Sequence, residues 1–210
     1  MPVQFVMPET APPIIPVVVL ETPEQGPPLA RALMAGGIRA IEVTLRSDAA
    51  LEGIAAISEA VPHIYLGAGT IRNTVAAERS IEAGAQFLVS PGATQPLLEA
   101  AEEIDVPLLP GVATPSEAMA LAECGFQRLK FFPADVYGGA KALRAFSGPL
   151  RDLSFCPTGG VGATNAAEYL SLSNVFAVGG SWLAPPALMR EGKWEEIEQL
   201  ARKAVQRPMI

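Results

Sequence analysis

The chain has few of the residues that metal centres and disulfides need, with two cysteines and one histidine among its 210 residues. Cys124 and Cys156 show no metal-ligand spacing, so we expect two reduced thiols, no metal site and a cytoplasmic protein. Cys156 lies beside a glycine-rich stretch, but a small core residue is the better interpretation. His63 has no partner histidine, and we expect it at the surface.

The chain also lacks basic runs and long apolar runs. Its formal net charge is -7, from 15 basic and 22 acidic residues, so nucleic acid and anionic membrane surfaces are not expected partners. No apolar stretch approaches the ~20 residues of a membrane span, and prolines at positions 2, 8, 12, 13 and 16 interrupt the region where a signal peptide would carry its apolar segment. Any anion that this protein binds must therefore be held by local groups.

What the chain does contain is apolar. Half of its residues are hydrophobic and 18% are charged, which excludes a disordered chain and favours burial between subunits. The length fits one α/β domain, and no linker or shift in composition divides it. We therefore expect a single domain over residues 1–210, in which residues 1–13 form an irregular N-terminal leader.

Apolar runs alternate with helical patterns along the chain. The predicted strands cover residues 14–20, 40–45, 64–68, 87–90, 107–110, 128–132, 153–157 and 175–178. The predicted helices cover residues 27–35, 73–83, 95–103, 114–124, 140–146, 164–170 and 194–206, with one more from a cap at Ser47 or Asp48 to residue 60. Strict alternation requires parallel strands with the helices outside. Eight such units predict a single (β/α)8 TIM barrel, and a doubly wound open sheet is the alternative.

Lys130 stands among apolar residues on the sixth predicted strand, shortly before Pro133. A buried ammonium is costly unless it is paired or loses its proton. An uncharged lysine amine is a nucleophile that forms Schiff bases with carbonyl compounds. The alternative is a lysine whose amine reaches solvent from the rim of the barrel.

The second predicted strand ends in alternating apolar and polar residues. Its apolar side chains are Ile41, Val43 and Leu45, and its polar side chains are Glu42, Thr44 and Arg46. Because the apolar face must meet the helices, the polar face points into the barrel. The same parity turns Lys130 and Phe132 inward, so Glu42 and Lys130 are predicted to enter one cavity at the carboxyl ends of the strands, where such barrels carry their active sites. A purely structural ion pair is the alternative.

Glycine pairs follow the last two predicted strands, at Gly159-Gly160 and Gly179-Gly180. Glycine lets backbone N–H groups approach a ligand closely, and barrels of this type usually hold phosphate after the seventh and eighth strands. The two pairs predict a phosphate site, with tight turns as the alternative.

A third glycine-bearing segment, residues 67–70, shares only two glycines with the dinucleotide fingerprint, because Arg72 occupies the third small position. We therefore reject nicotinamide binding. Other residues at strand ends are candidate substrate contacts: Thr70, Ser90-Pro91-Gly92 and Pro110-Gly111.

Taken together, six blocks closely resemble the 2-keto-3-deoxy-6-phosphogluconate (KDPG) aldolase family, which includes the bifunctional 4-hydroxy-2-oxoglutarate (KHG) aldolases. The blocks are Glu42-Val43-Thr44-Leu45-Arg46, Gly67-Ala68-Gly69-Thr70, Ser90-Pro91-Gly92, Lys130-Phe131-Phe132-Pro133-Ala134, Pro157-Thr158-Gly159-Gly160 and Gly179-Gly180-Ser181-Trp182-Leu183. The likeness runs from about residue 14 to residue 204. It implies a homotrimeric, metal-free class I aldolase without a cofactor, which cleaves KDPG to pyruvate and glyceraldehyde 3-phosphate and KHG to pyruvate and glyoxylate.

The resemblance also implies roles for individual residues. Lys130 resembles the Schiff-base lysine and Glu42 the general acid and base. Residues that resemble contacts to the keto acid are Arg46, Thr70, Phe132 and Thr158, and those that resemble the phosphate end are Gly159, Gly160, Gly180 and Ser181. This chain has Asp135 where the family often has Glu, and Val161-Gly162 where it often has Ile-Ser. The second departure bears on the phosphate loop and on which substrate is preferred.

Two other functions fit the same residues. One is a phosphosugar isomerase or epimerase in which Glu42 is the base and Lys130 acts only through its charge. The other is a non-catalytic barrel that binds a small phosphorylated metabolite, against which the inward carboxylate argues, since binding an anion needs no carboxylate. Within the aldolase interpretation, KDPG, its galactonate-derived epimer and KHG all stay open as substrates.

Overall fold

The structure, a computed structural model, describes residues 1–206. Its strands are β1 (Ile14–Val18), β2 (Ala40–Thr44), β3 (Tyr65–Gly69), β4 (Phe87–Val89), β5 (Leu108–Leu109), β6 (Gly111–Val112), β7 (Arg128–Phe131), β8 (Ser154–Pro157) and β9 (Val178–Gly180). Its helices are α1 (Gly26–Ala35), α2 (Ala50–Ala60), α3 (Thr74–Glu82), α4 (Gln95–Glu103), α5 (Pro115–Glu123), α6 (Gly139–Phe146), α7 (Ala166–Leu170), α8 (Pro186–Arg190) and α9 (Trp194–Gln206), and a 3₁₀ helix (Pro23–Gln25) precedes α1.

The paired strands are all parallel. Six of them lie in the order β5-β4-β3-β2-β1-β9, and three lie in the order β6-β7-β8. Two isolated parallel bridges join the region of β8 to that of β9: Phe155 within β8 pairs with Val175, and Thr158 after β8 pairs with Gly179. The predicted α/β class with a parallel sheet is confirmed.

Two strand predictions and one helix prediction need correction. The predicted fifth strand is divided at Pro110, which has no N–H for the ladder, and β5 pairs with β4 while β6 pairs with β7. The predicted eighth strand, 175–178, begins too early: Val175 makes only an isolated bridge, and the ladder with β1 runs from Val178 to Gly180. Its two glycines made the observed strand hard to recognise. Helix α8 was not predicted as a separate element.

Capping residues and glycines explain where several helices begin and end, close to the boundaries that the sequence predicts. Thr114 and Glu117 form a capping box at the start of α5, with Thr114 Oγ1 accepting from the Glu117 N–H at 3.3 Å. Helices α1, α3 and α5 are followed by Gly37, Gly84 and Gly125, whose φ angles are +99°, +99° and +90°. Glycine adopts this left-handed conformation without steric cost, so the helices end there. None of the helices within the described chain combines the length and apolar character that crossing a bilayer requires.

The apolar core has two parts. The larger one lies between the strands and the helices and includes Ile41 and Val43 of β2, as the predicted alternation requires. The smaller one contains Phe5, Ile15, Phe87, Val89, Leu109, Cys156 and Ala177. Residues 1–13 form no helix or strand, yet the leader is held, because Phe5 is buried and its carbonyl accepts from the Arg128 guanidinium at 2.9 Å.

Candidate active site

Lys130 and Glu42 meet inside the molecule although they lie on strands that do not pair. Lys130 Nζ lies 3.2 Å from Glu42 Oε1 and 3.5 Å from Oε2. Each residue is only 3% exposed. Burying two charges costs desolvation free energy that burying two apolar side chains does not. Lys130 and Glu42 are therefore the candidate catalytic residues.

Small neighbours make room for the pair. Glu42 lies opposite Gly67 on β3, and a Cβ added to Gly69 would collide with Glu42 Oε1. On the other side, Lys130 lies opposite Gly111 on β6 and Cys156 on β8. The glycine at position 69 is therefore required by the carboxylate beside it.

Cys156 is an inert neighbour of this pair. Burial raises the pKa of its thiol to about 12, against the smaller lowering effect of Lys130. Because the pKa is raised, the thiol stays protonated at every pH below that value, and the thiolate is the form that reacts. The structure therefore supports the interpretation of Cys156 as a small core residue.

We expect iodoacetamide at pH 8 to leave activity unchanged. Mass spectrometry of the treated protein should find the label on Cys124, which is partly exposed, and not on Cys156. Labelling of Cys156 in the folded protein, with loss of activity that substrate prevents, would contradict the inert assignment.

Arg46 and Thr70 form the polar rim next to Glu42. Arg46 is exposed, and its Nε donates to Thr70 Oγ1 at 3.1 Å. Thr70 has a φ angle of +63°, and it is the one residue other than glycine with positive φ in the described part of the chain. A β-branched residue in this region is strained, and such strain is typical of ligand-binding positions.

Phe132 and Thr158 complete the surroundings of the amine. The Phe132 ring centroid lies 5.3 Å from Lys130 Nζ, and Phe132 is only partly buried. Thr158 is 5% exposed at the end of β8, where a Cβ on Gly179 would collide with its Oγ1. Pro91 lines a second groove, which Phe132 also lines and Thr158 does not.

A cavity lies at the glycine-bearing loops, and it shares Arg46, Phe132 and Thr158 with the surroundings of the Lys130–Glu42 pair, although the pair itself is not part of its lining. It is lined by Val17, Val19, Arg46, Phe132, Thr158, Gly159, Gly160, Val161, Gly180, Ser181, Ala184 and Pro186. The structure therefore brings together the predicted site residues at the ends of β8 and β9 and in the loops that follow. Gly159 and Gly160 have φ angles of +93° and +78°, which a residue with a side chain rarely adopts.

The sequence did not predict the apolar wall of this cavity. Val17 lies opposite Glu42 in the ladder between β1 and β2, and Val19 follows two residues later on the same face. The continuous apolar run of β1 hides this alternation, so only the inward parity of Glu42 on the neighbouring strand would have revealed it. Ala184 precedes α8 and Pro186 is the first residue of α8, a helix that was not predicted as a separate element.

The charges around the cavity are few. Arg46 is the one lysine or arginine among the residues that line it. Within residues 1–206, no three histidine, cysteine, aspartate or glutamate side chains are grouped as a metal ion would require. The glycine-bearing loops at this cavity therefore offer an anion mainly backbone N–H and hydroxyl groups.

Comparison with known proteins places this chain among aldolases. The sequence profile of the aldolase family described as "KDPG and KHG aldolase" matches residues 7–200. The "KHG/KDPG aldolase" of Escherichia coli K12 is 47% identical over 197 residues, which cover 94% of this chain and 92% of that protein.

Two solved structures are similar over nearly the whole chain. The first is a KDPG aldolase from Legionella pneumophila with pyruvate captured as a covalent carbinolamine, with a TM-score of 0.92 and 41% identity over 94% of this chain and 96% of that one. The second is the Zymomonas mobilis ZM4 aldolase with 3-phosphoglycerate, with a TM-score of 0.87 and 41% identity over 94% and 92% of the two chains.

Proposed function

The chain belongs to the KDPG and KHG aldolase family, and from this membership we propose that it cleaves KDPG to pyruvate and glyceraldehyde 3-phosphate through an imine on Lys130. It is a carbon–carbon lyase. The observation that carries the proposal is the buried amine of Lys130, 3.2 Å from the carboxylate of Glu42. Its neighbour Phe132 lines a cavity at the glycine-bearing loops.

The first step forms the imine. Glu42 takes a proton from the Lys130 ammonium, and the free amine attacks the C2 ketone to give a carbinolamine. As the carbinolamine forms, one proton moves from the attacking nitrogen to the former carbonyl oxygen. Glu42 then returns its proton to this hydroxyl, which leaves as water, and the protonated imine forms. The separation of 3.2 Å is within the range of direct proton transfer, and the relative from Legionella holds pyruvate as such a carbinolamine.

The second step breaks the C3–C4 bond. Glu42 removes the proton of the C4 hydroxyl, the electron pair of the bond moves into the imine, and glyceraldehyde 3-phosphate leaves. The enamine that remains takes a proton at C3, and water hydrolyses the imine to release pyruvate and the amine. The water consumed here balances the water lost in the first step.

The rest of the site positions the substrate. We assign the carboxylate of the keto acid to Arg46 and Thr158, with Thr70 and Pro91 beside it and Phe132 against the amine. We assign the phosphate to the loops after β8 and β9, through Gly159, Gly160, Gly180 and Ser181. Binding both the carboxylate and the phosphate of the substrate holds C2 next to the amine, which lowers the entropic part of the activation barrier.

The proposal extends to the fold and the assembly. The pairing of β4 with β5 and of β6 with β7, and the bridges from β8 toward β9, support closure of the sheet into a single (β/α)8 barrel domain. The exposed apolar residues Val136 and Tyr137, near the proposed site in sequence, support burial against other subunits in a homotrimer. Metal-free chemistry and a cytoplasmic location are retained as predictions.

Borohydride added with pyruvate should attach the three-carbon unit to Lys130. The buried amine beside Glu42 is the nucleophile for the ketone, and reduction makes the imine permanent. Peptide mapping by mass spectrometry checks the position, and EDTA should not alter the yield. Label on Lys141, Lys193 or Lys203 instead would refute the assignment of Lys130.

A second activity, cleavage of KHG to pyruvate and glyoxylate, is supported by the dual name of the Escherichia coli relative. KHG would occupy the keto-acid end and leave the phosphate end empty. A pyruvate-release assay with KDPG, its galactonate-derived epimer and KHG ranks the three substrates. Turnover of a phosphosugar without any trappable imine would instead favour the isomerase alternative.

A further inference from the structure

Asn165 lies beside the loop that follows β8, and the proposed reaction gives it no role. Its Nδ2 donates to the carbonyl of Gly160 at 2.9 Å. Its Oδ1 accepts from the N–H of Gly162 at 2.8 Å. One side chain therefore holds the peptide groups on both sides of Val161.

These two bonds decide which way the peptide groups face. The C=O and N–H of a trans peptide point in opposite directions. Since Gly160 O points to Asn165, the Val161 N–H of the same peptide points away from it. Since the Gly162 N–H points to Asn165, the Val161 carbonyl also points away, and it would lie 2.9 Å from a Cβ on Gly180. Both groups of Val161 therefore turn away from Asn165, and Val161 lines the cavity together with Gly159 and Gly160.

Backbone hydrogen bonds hold the two ends of the loop. The carbonyls of Thr158 and Gly159 accept from the N–H groups of Ala134 and Asp135 at 2.8 and 3.0 Å, and the Gly162 carbonyl accepts from the Ala166 N–H at 3.0 Å. Between these points, Asn165 adds its side-chain bonds to Gly160 and Gly162.

Gly159 and Gly160 lack side chains, and glycine has more backbone freedom to lose than any other residue. A Cβ on Gly162 would meet no atom within 4 Å, so packing does not restrain that position. Asn165 is itself anchored at the start of α7, where its carbonyl accepts from the Glu168 N–H at 3.0 Å.

We infer that Asn165 is a positioning residue that holds loop 158–162 ready to bind a phosphate monoester, and that it thereby sets the preference for phosphorylated over unphosphorylated keto acids. The inference rests on the proposed aldolase function and deepens it. N–H donors that are already ordered before the ligand arrives lose little conformational entropy on binding. More of the binding free energy of the phosphate group can then contribute to positioning the ketone at Lys130.

The test compares KDPG with 2-keto-3-deoxygluconate, which differs only in lacking the phosphate. In Asn165→Ala, kcat/KM for KDPG should fall about 10- to 100-fold, mainly through KM, because two hydrogen bonds that order the loop are lost. The value for the unphosphorylated acid should change by less than about twofold. Asn165→Asp keeps the acceptor for Gly162 but loses the donor to Gly160, and it should show the same selective loss.

Asn73→Ala is the matched control, because it also removes one Asn bond to a backbone N–H, that of Ala76 at 2.8 Å, and leaves loop 158–162 intact. Its ratio of the two kcat/KM values should equal that of the wild type. An equal loss on both substrates in the Asn165 variants, or no loss, would overturn the inference.

A binding measurement separates this inference from the proposed reaction. Inorganic phosphate, titrated by calorimetry into each variant, should bind about 10-fold more weakly to Asn165→Ala than to wild type. Unchanged phosphate binding defeats the role of Asn165 even when pyruvate is trapped on Lys130. Failure to trap pyruvate on the wild type defeats the aldolase proposal, whichever way phosphate binds.

Discussion

Lys130→Met is expected to lower kcat by about 10⁴-fold or more and to abolish borohydride trapping of pyruvate. Methionine keeps much of the length of the side chain and fills the same apolar surroundings, but it has no amine with which to attack a ketone. Loss of a catalytic nucleophile has cost on the order of 10⁶ in kcat where it has been measured. A pyruvate-release assay with KDPG, together with mass spectrometry after borohydride treatment, checks both parts.

This substitution leaves Glu42 buried without its partner. Removing one member of a buried ion pair costs about 3–5 kcal/mol of folding free energy, so the single variant is also expected to melt earlier. The double variant Lys130→Met with Glu42→Gln removes both charges, and it should recover part of the lost stability while staying inactive. Inactivity in a double variant that is folded by circular dichroism cannot be attributed to unfolding.

Lys141→Met is the matched control, because Lys141 is exposed on α6 and takes no part in the proposed chemistry. Its kcat and its trapping yield should equal those of the wild type. Residual activity of Lys130→Met above about one hundredth of wild type would contradict the imine mechanism and favour a purely electrostatic role for the lysine.

Parity within a strand could be predicted from the sequence, and distance across the molecule could not. The alternation over residues 41–46 predicts that Glu42 lies on one face of its strand and that Ile41 and Val43 lie on the other. In the structure, Ile41 and Val43 pack in the larger core. The separation of Glu42 from Lys130 depends on how β2 and β7 are placed by the strands between them. The two residues are 88 positions apart in the chain, so no local pattern carries that information.

The features that the sequence did not reveal are those in which a residue departs from its ordinary preference. Thr70 has a positive φ angle that its residue type disfavours, and a β-branched residue gives no local signal of such a turn. Gly179 and Gly180 pair as strand residues although glycine is depleted in strands. Asn165 is an exception, because Asn is common just before a helix, and only the structure shows its two bonds to Gly160 and Gly162.

Glu42→Gln is expected to lower kcat by about 10²- to 10⁴-fold, the usual contribution of a general acid and base. The amide keeps the shape of the side chain and an oxygen that accepts from Lys130 Nζ, but it cannot take up a proton at each step. Imine formation and C3–C4 cleavage should both slow, so pyruvate trapping on Lys130 should persist at a reduced rate. Single-turnover kinetics with KDPG and timed borohydride quenching measure the two steps.

The control for this prediction is Glu198→Gln, which breaks the exposed ion pair with Arg202 on α9. Exposed pairs contribute only about 0–1 kcal/mol, so this variant should keep wild-type kinetics and nearly wild-type stability. A loss of less than tenfold in Glu42→Gln would leave Glu42 as a structural partner of Lys130. The proton transfers would then have to pass through water or Thr158, whose buried hydroxyl lies at the end of the strand next to β7.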